Sequence, residues 1–159
     1  MRVSILTISD SVAAGKYEDR SGPAVVARCR ELGWETVSVA VLADERIAIE
    51  AFLKKAADAA DSAVDLILTT GGTGVGPRDV TPEATLAAIE RLIPGFAEHM
   101  RAEGRKSTER ALLSRGIAGI RAKTIIVNLP GSPTGAVESL NAIASLLPHA
   151  VDVVHGARH

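Results

Sequence analysis

A glycine-rich turn between an apolar run and a helical segment constrains this chain more than any other feature. The apolar run is Val64–Thr69, rich in β-branched residues as buried strands are. The helical spacing is in Leu86–Ile93, with Thr81 predicted as N-cap and Pro82 as a first helical residue. Between them lies Thr70-Gly71-Gly72-Thr73-Gly74-Val75-Gly76-Pro77-Arg78-Asp79-Val80. A turn at the carboxyl end of such a strand is where α/β sheets bind anions, so a phosphate-bearing ligand is expected.

This turn differs from the two common nucleotide-binding motifs. A P-loop has Lys followed by Ser or Thr after its last glycine, whereas Val75 and Gly76 follow Gly74 here. The dinucleotide-binding motif opens a helix directly, whereas Arg78 and Asp79 intervene before the helix here. The glycine-rich turn and the helix that follows it are therefore not expected to bind phosphate as a P-loop or a dinucleotide-binding motif does.

Composition narrows the class of protein. The 159 residues are 47% hydrophobic, enough for one globular domain over 1–159. A net charge of −1 and 3% aromatic residues argue against nucleic acid or a membrane surface as partner. No apolar stretch approaches the length of a membrane span, and the N-terminus lacks a signal-peptide pattern, so the protein is expected in the cytoplasm. Cys29 is the single cysteine, and no metal-ligand spacing occurs among His99, His149, His155 and His159.

Strand patterns alternate with helical patterns along the whole chain. Helices are predicted from Gly22-Pro23 to about Leu32, from Asp44 to about Ala60 and over Ala136–Leu147, with breaks at Pro94-Gly95 and Gly104 between others. Besides Val64–Thr69, the predicted strands are Val3–Ile8, Glu35–Leu42 and Thr124–Leu129. This alternation predicts the α/β class, as a three-layer αβα sandwich with a mostly parallel central sheet.

Three predicted strands end in turn-forming polar residues. These ends are Ser9-Asp10, Gly71-Gly72-Thr73-Gly74 and Asn128-Leu129-Pro130-Gly131-Ser132. Each of these segments alone has the residues of an ordinary structural turn. The carboxyl ends of parallel strands, however, meet at one edge of a sheet. A composite site at that edge is therefore predicted.

Charged residues suggest how such a site could act. Asp44 and Asp79 lie near strand ends, and carboxylates are the ligands that Mg²⁺ takes, although Asp44 could instead only cap its helix. The segment Arg101–Lys123 carries seven basic residues against two acidic ones. Most of these are expected on a solvated helix face, with one or two facing an anionic ligand.

The motif Gly71-Gly72-Thr73-Gly74-x-x-Pro77-Arg78-Asp79-Val80-Thr81-Pro82-Glu83-Ala84-Thr85 closely resembles that of the molybdopterin adenylyltransferases, the MogA/MoaB family. This family includes the G domains of gephyrin-like proteins. The similarity extends over most of the chain, through Ile8-Ser9-Asp10, Asp19-Arg20-Ser21-Gly22-Pro23, Leu113-Ser114-Arg115-Gly116 and Asn128-Leu129-Pro130-Gly131-Ser132-Pro133.

The resemblance implies Mg²⁺-dependent transfer of AMP from ATP to molybdopterin, by a homotrimer that hands its product to a molybdate-insertion enzyme. It implies that Asp44 and Asp79 are the essential acidic pair, with catalytic and metal-binding roles. Thr73, Ser114 and Asn128 match pterin- or phosphate-binding positions, and Gly72, Gly74, Gly131 and Ser132 match positions of close backbone approach. Arg78 is a further candidate for phosphate, or could pair with Asp79 or Glu83 to fix the loop. Ala43 stands where the family usually has proline, which leaves the position of Asp44 less constrained.

Three other functions remain open on the sequence. A MoaB-type relative could bind molybdopterin without turnover, although both Asp44 and Asp79 are retained here. Molybdate-insertion enzymes share a related domain, but those enzymes are longer chains with additional domains. A nucleotide amidase or pyrophosphatase of the damage-inducible type shares the fold, and the segments around Arg78 and Asn128 match it less well.

Overall fold

The computed structural model describes residues 1–59 and 64–157. In this part of the chain, strands and helices alternate as predicted. The strands are β1 (Arg2–Ile8), β2 (Glu35–Leu42), β3 (Leu66–Thr70), β4 (Arg91–Leu92), β5 (Ala118–Arg121) and β6 (Thr124–Leu129). The helices are α1 (Asp10–Ala13), α2 (Ser21–Glu31), α3 (Arg46–Asp58), α4 (Thr81–Ala88), α5 (Pro94–Ser107), α6 (Pro133–Ile143) and α7 (Leu147–Val154), with a 3-10 turn at Glu109–Leu113.

The strands form one sheet in the order β2-β1-β3-β6-β5-β4. Strands β2, β1, β3 and β6 pair in parallel, whereas β5 and β4 add an antiparallel edge beyond β6. The parallel strands therefore end at the same edge of the sheet, and β1, β3 and β6 are direct neighbours there. The prediction of a mostly parallel sheet is confirmed.

Alternating side chains in the central strands build two separate cores. Leu66 and Leu68 of β3 pack on one face with α2, α5, α6 and α7, while Ile67 packs on the other face with α3 and α4. This period of two is what a strand imposes, and the apolar residues at both phases require helices on both faces. The three-layer αβα architecture is thus confirmed.

Several predicted element boundaries are wrong. The helical pattern of Leu86–Ile93 ends at Ala88 and is followed by the short antiparallel strand β4. Pro94 begins helix α5, because proline is suited to a first turn, and α5 continues through Gly104. A Cβ at Gly104 would lie 3.0 Å from that of Ala111, so this glycine serves close packing of the 3-10 turn.

Helices α3 and α6 also have bounds that differ from the predicted ones. The helix predicted over Ala136–Leu147 corresponds to α6, which begins at Pro133 and ends at Ile143, and the separate helix α7 then begins at Leu147. Helix α3 ends at Asp58. Its predicted end near Ala60 lies outside the described residues, as does His159.

Candidate functional site

The glycine-rich turn connects β3 to α4 through two residues in left-handed backbone conformation. Gly71 has φ of 100° and Gly72 has φ of 64°, values that favour glycine. A Cβ on Gly71 would collide with the Ile8 carbonyl oxygen, so the turn also needs glycine for close approach to β1. The predicted N-cap Thr81 is instead the first residue of α4. Its hydroxyl donates to the Gly71 carbonyl at 2.9 Å and ties the helix to the turn.

Two clefts open at the carboxyl edge of the sheet. The first has a volume of about 620 Å³ and lies over the ends of β1 and β3 and the start of α2. Its lining includes the predicted residues Ser9, Asp44, Gly72, Asp79 and Gly131. Ser9 also caps α1, since its hydroxyl oxygen accepts from the Val12 N–H at 3.3 Å.

The second cleft has a volume of about 340 Å³ and lies between the glycine turn, the 3-10 turn and the start of α6. The apolar residues Ala111, Leu113 and Pro130 form part of its wall. The predicted residues that line it are Gly72, Thr73, Gly74, Asp79, Ser114, Gly131 and Ser132.

The two clefts meet at Gly72, Asp79 and Gly131, which line both of them. A Cβ on Gly131 would lie 3.2 Å from the Cα of Gly71, so the turns after β3 and β6 are in direct backbone contact. Groups bound in the two clefts would thus be separated only by main chain and by the Asp79 side chain.

Asp44 is fixed at the rim by Asp10, the first residue of α1, which follows the end of the adjacent strand β1. Its Oδ2 accepts from the Asp10 N–H at 2.8 Å, and its own N–H donates to Asp10 Oδ1 at 3.0 Å. The residue that precedes α3 is Glu45, and it makes no side-chain capping bond, so the interpretation of Asp44 as only a helix cap is wrong. The reciprocal pair also holds the loop in which Ala43 stands where the family usually has proline.

Burial raises the pKa of Asp44 above its ordinary value. The hydrogen bond from the Asp10 N–H opposes this rise, whereas the nearby carboxylates of Asp10 and Asp79 add to it. The nearby guanidinium of Arg78 offsets part of this repulsion among the three carboxylates, and a divalent cation would relieve more of it.

Asp79 faces the junction of the clefts from the far side of the glycine turn. Its Oδ2 accepts from the Gly76 N–H at 2.8 Å and would lie 2.9 Å from a Cβ on Gly74. Glycine at these positions lets the main chain pack against the carboxylate. Oδ2 in both Asp44 and Asp79 accepts a backbone hydrogen bond, which fixes the orientation of each carboxylate.

The donor set suits Mg²⁺ that arrives with a phosphate-bearing substrate. Within residues 1–59 and 64–157, no group of three or more His, Cys, Asp or Glu side chains could hold a metal ion alone. Mg²⁺ typically uses one or two protein carboxylates and completes its octahedron with water and substrate phosphates. Asp44 and Asp79 fit that pattern.

Asp10 and Arg78 pair with each other at the rim. Arg78 Nε donates to Asp10 Oδ2 at 3.0 Å and Nη2 donates to Asp10 Oδ1 at 3.1 Å, while Nη2 also reaches Glu45 at 2.8 Å. The hydrogen bond from Arg78 lowers the pKa of Asp10. The pairing of Arg78 with Asp79 or Glu83, considered from the sequence, is not the one formed. Arg78 instead links the glycine turn to the ends of β1 and β2.

Asn128 lies beneath the rim rather than in either cleft. Its side chain is buried on the α4 face of the sheet, where Nδ2 donates to the hydroxyls of Thr69 and Thr85 at 3.0 and 2.9 Å. Its Oδ1 accepts from the Ile117 N–H at 3.2 Å. These bonds engage the whole amide, so Asn128 joins β6 to β3, α4 and the segment that follows Ser114.

Three arginines of the basic segment make internal contacts instead of lying on a solvated helix face. Arg101 donates to the Gly116 carbonyl at 3.1 Å, and Arg121 pairs with Asp58 at 2.7 Å. Arg115 contacts the glycine turn and forms a short ion pair with Glu83. The sequence indicated the charge of this segment but not the elements that its residues would meet.

Part of the first cleft was not among the predicted site residues. The lining between α1 and α2 comprises Tyr17, Glu18, Asp19, Arg20 and Ser21. The Asp19 carboxylate accepts from the Thr7 hydroxyl at 2.7 Å and from the Gly22 N–H at 3.0 Å, which holds the start of α2 against β1. The matching motif at Asp19-Arg20-Ser21 was the signal that could have added these residues.

No helix in the part of the chain that the structure describes is long and apolar enough to cross a membrane.

Comparison with known proteins finds relatives that are similar over nearly the whole of this chain. A family model described as "Probable molybdopterin binding domain" matches residues 4–149. The molybdopterin adenylyltransferase of Helicobacter pylori strain J99 is 41% identical, over 98% of this chain and 89% of its own length. That of Escherichia coli K12 is 36% identical, over 98% of this chain and 79% of its own length. The crystal structure of the molybdopterin biosynthesis enzyme MoaB from Thermus thermophilus superposes with a TM-score of 0.91, at 46% identity, over 98% and 97% of the two chains.

The fold and the rim define an α/β protein with two clefts at the carboxyl ends of its parallel strands, the place where open α/β sheets bind ligands. The family match covers most of the chain, and the two relatives match over 89% and 79% of their own length. The chain belongs to the molybdopterin-binding family of molybdenum cofactor biosynthesis proteins.

Proposed function

We propose that this protein is a molybdopterin adenylyltransferase that acts in molybdenum cofactor biosynthesis. In the proposed reaction, an oxygen of the terminal phosphate of molybdopterin attacks the α-phosphorus of ATP. The bond from that phosphorus to the β-bridging oxygen breaks, and pyrophosphate leaves. The products are adenylylated molybdopterin and pyrophosphate, so atoms and charge balance without a further reactant.

The observation that carries the proposal is the meeting of two clefts at Asp79, with Asp44 in the wall of one of them. A transfer between two phosphate-bearing substrates needs two adjacent sites and groups that bring anions together. The names of the relatives, which match the chain at 36–41% identity, support the same reaction.

We assign the second cleft to the pterin and the first to ATP. The wall of Ala111, Leu113 and Pro130 suits a flat ring, and Thr73 and Ser114 lie in the same cleft. The first cleft offers Ser9, Ser21 and the guanidinium of Arg20 to a triphosphate. This assignment agrees with the pterin-binding roles that the family resemblance implies for Thr73 and Ser114.

The acidic pair would act through a metal ion rather than as a base. A phosphate monoester has a second pKa of about 6, so the attacking oxygen is already ionised at neutral pH. Mg²⁺ held by Asp44 and Asp79 would neutralise charge that develops on the phosphates. The protein's own part is to fix the Asp44 carboxylate in the wall of the first cleft, through the Asp10 N–H, and the Asp79 carboxylate at the junction of the clefts, through the Gly76 N–H.

The first experiment measures pyrophosphate release from ATP and Mg²⁺, with and without molybdopterin, and identifies the product by mass. Pterin-dependent release with adenylylated pterin is expected. Asp44→Asn and Asp79→Asn are each expected to lower turnover by about 100-fold or more while pterin binding persists. Asp152→Asn, an exposed residue of α7, is the matched control and should retain activity.

Two results would contradict the assignment. Normal turnover by both Asp44→Asn and Asp79→Asn would remove the acidic pair from the chemistry. Pterin binding by the wild-type protein without pyrophosphate release would identify a binding protein of the MoaB type that does not turn over.

The remaining partners are proposed on the same basis. The protein is proposed to be a cytoplasmic homotrimer that hands adenylylated molybdopterin to a molybdate-insertion enzyme. The family resemblance supports these assignments, and exposed Val39 and Val41 on the edge strand β2 offer apolar surface for contact between subunits.

A further inference from the structure

Arg115 connects both ends of the glycine-rich turn. Its backbone N–H donates to the Thr73 carbonyl at 2.8 Å, and its Nε donates to the Gly74 carbonyl at 2.7 Å. Its Nη2 donates to the Asp79 carbonyl at 2.6 Å. Arg115 thus holds both the Thr73-Gly74 segment of the turn and Asp79, whose carboxylate faces both clefts.

Glu83 fixes the guanidinium in this position. Arg115 Nη1 forms a short ion pair with Glu83 Oε1, and Nη2 lies 3.4 Å from Oε2. Glu83 belongs to the first turn of α4, where a carboxylate is also favoured by the helix dipole. Nε, Nη1 and Nη2 each donate to a protein acceptor, so these bonds fix the orientation of the Arg115 head group against the turn and α4.

The direction of these bonds orients the turn. Peptide groups among the described residues are trans, so a carbonyl held toward Arg115 directs the N–H of the same peptide group away from it. The peptide groups concerned carry the N–H of Gly74, Val75 and Val80. The Asp79 side chain leaves the same restrained segment, which also includes the bond from the Gly76 N–H to Asp79 Oδ2.

We propose that Arg115, held by Glu83, is a positioning residue for the transfer reaction, because it fixes the glycine turn so that the Asp79 carboxylate stays at the junction of the two clefts. This inference rests on the proposed function for its kinetic consequence. Its structural part, restraint of the segment from Gly74 to Val80, is independent of turnover. Arg115 acts through the main chain and does not contact substrate.

The test compares Arg115→Met with Arg121→Met. Arg121 is a matched control, since it also pairs with a carboxylate, Asp58, and donates to a backbone carbonyl, that of Ala88, but it lies away from the clefts. In Arg115→Met, kcat is expected to fall by roughly tenfold to 100-fold, because small displacements of a reacting geometry are costly. The KM values for ATP and pterin should change little, as is typical when transition-state positioning alone is lost.

A second measurement separates positioning from direct substrate contact. Amide hydrogen exchange from Gly74 to Val80 is expected to accelerate in Arg115→Met and to remain as in the wild-type protein in Arg121→Met. Arg115→Lys should give an intermediate kcat, because one ammonium group cannot bond the Gly74 and Asp79 carbonyls and Glu83 with the planar geometry of a guanidinium.

The outcomes are distinguishable. Unchanged kcat and unchanged exchange in Arg115→Met would overturn the inference. A loss of kcat without faster exchange, or a large rise in KM alone, would assign Arg115 to substrate contact and also overturn it. If the wild-type protein releases no pyrophosphate, the proposed function fails instead. In that case, amide hydrogen exchange from Gly74 to Val80 still tests whether Arg115 restrains the turn. Exchange in Arg115→Met that equals the wild-type rate would reject this restraint as well.

Discussion

At the scale of single residues, two arginines set the charge of the carboxylates around the glycine turn. The hydrogen bond from Arg115 lowers the pKa of Glu83, and the one from Arg78 lowers the pKa of Asp10. A carboxylate with a lowered pKa in the folded protein stabilises the fold above its unfolded pKa. That contribution is lost as the pH falls through the folded pKa.

Replacement of Glu83 should therefore alter the acid side of the stability curve. Glu83→Gln is expected to lower Tm at pH 7 and to reduce the further loss of Tm as the pH falls below 4.5, the ordinary value for this carboxyl. Thermal unfolding from pH 7 to pH 3 measures the effect, with exposed Glu98→Gln as control. An acid limb identical to that of the wild-type protein would show that the ion pair adds no stability.

The contacts of single side chains were predicted less completely than the strands and helices. Asp44 and Asp79 could be selected because their residue type and place after a strand suit Mg²⁺, and the structure brings both to one cleft. Arg115 was not selected, although it stands in the matching motif Leu113-Ser114-Arg115-Gly116, because its partners, the Gly74 and Asp79 carbonyls, lie 41 and 36 residues away in the chain. Asn128 was assigned to ligand from its motif, but burial and three internal hydrogen bonds appear only once the strands are paired.

At the scale of elements, the strand–turn–helix unit around β3 depends on glycine for two separate reasons. Gly71 and Gly72 adopt positive φ, and both also allow close approach of other groups. At Gly72, an added Cβ would meet the Thr81 hydroxyl and would lie 2.9 Å from Asp44 Oδ1. The same position thus sets the helix connection and the space beside the acidic pair.

Comparison of two alanine variants separates these reasons. Gly33 has φ of 74° with no atom within 4 Å of an added Cβ, so Gly33→Ala is expected to cost only the left-handed strain of about 1–2 kcal/mol. Gly72→Ala should lose more stability and nearly all transferase activity, because Asp44 and Thr81 must move. Urea unfolding and pyrophosphate release measure the two effects. Equal losses of stability together with retained activity in Gly72→Ala would contradict the steric explanation.

Strong periodic patterns explain which elements the sequence predicted. β1, β2, β3 and β6 were all expected, since their apolar residues form runs or alternate. β4 and β5 were missed because they are only two and four residues long, too short for a periodic pattern to show. β5 pairs with β6, which follows it directly in the chain, whereas β4 pairs with β5 from across helix α5. Helix α7 was not predicted, because the predicted helix Ala136–Leu147 stopped at the first residue of α7.

At the scale of the whole molecule, one edge of the sheet is left with apolar residues in solvent. β2 lies at the end of the strand order, and Val39 and Val41 are 54% and 38% exposed. Exposed edge strands with apolar side chains tend to pair with another chain unless they are covered. Sequence alone could predict the αβα layers, but not which surface stays open, because no periodicity specifies a subunit interface.

The proposed trimer makes a direct prediction about mass. Light scattering is expected to give three times the 16.5 kDa of the chain across a dilution series. Val39→Lys, which places charge on the edge strand, should shift the mass toward that of the monomer if β2 contributes to the interface. A wild-type mass of one chain at high concentration would reject the trimer.

The contact between Gly71 and Gly131 has a consequence for how such proteins can diverge. Because these two turns meet main chain to main chain, the partition between the clefts has the thickness of a polypeptide backbone, with no side chain from either glycine to vary. Substitutions elsewhere in the lining can reshape either compartment and change what each one accepts. An added Cβ at either glycine would meet main chain, so this point of contact is the part of the lining least open to substitution.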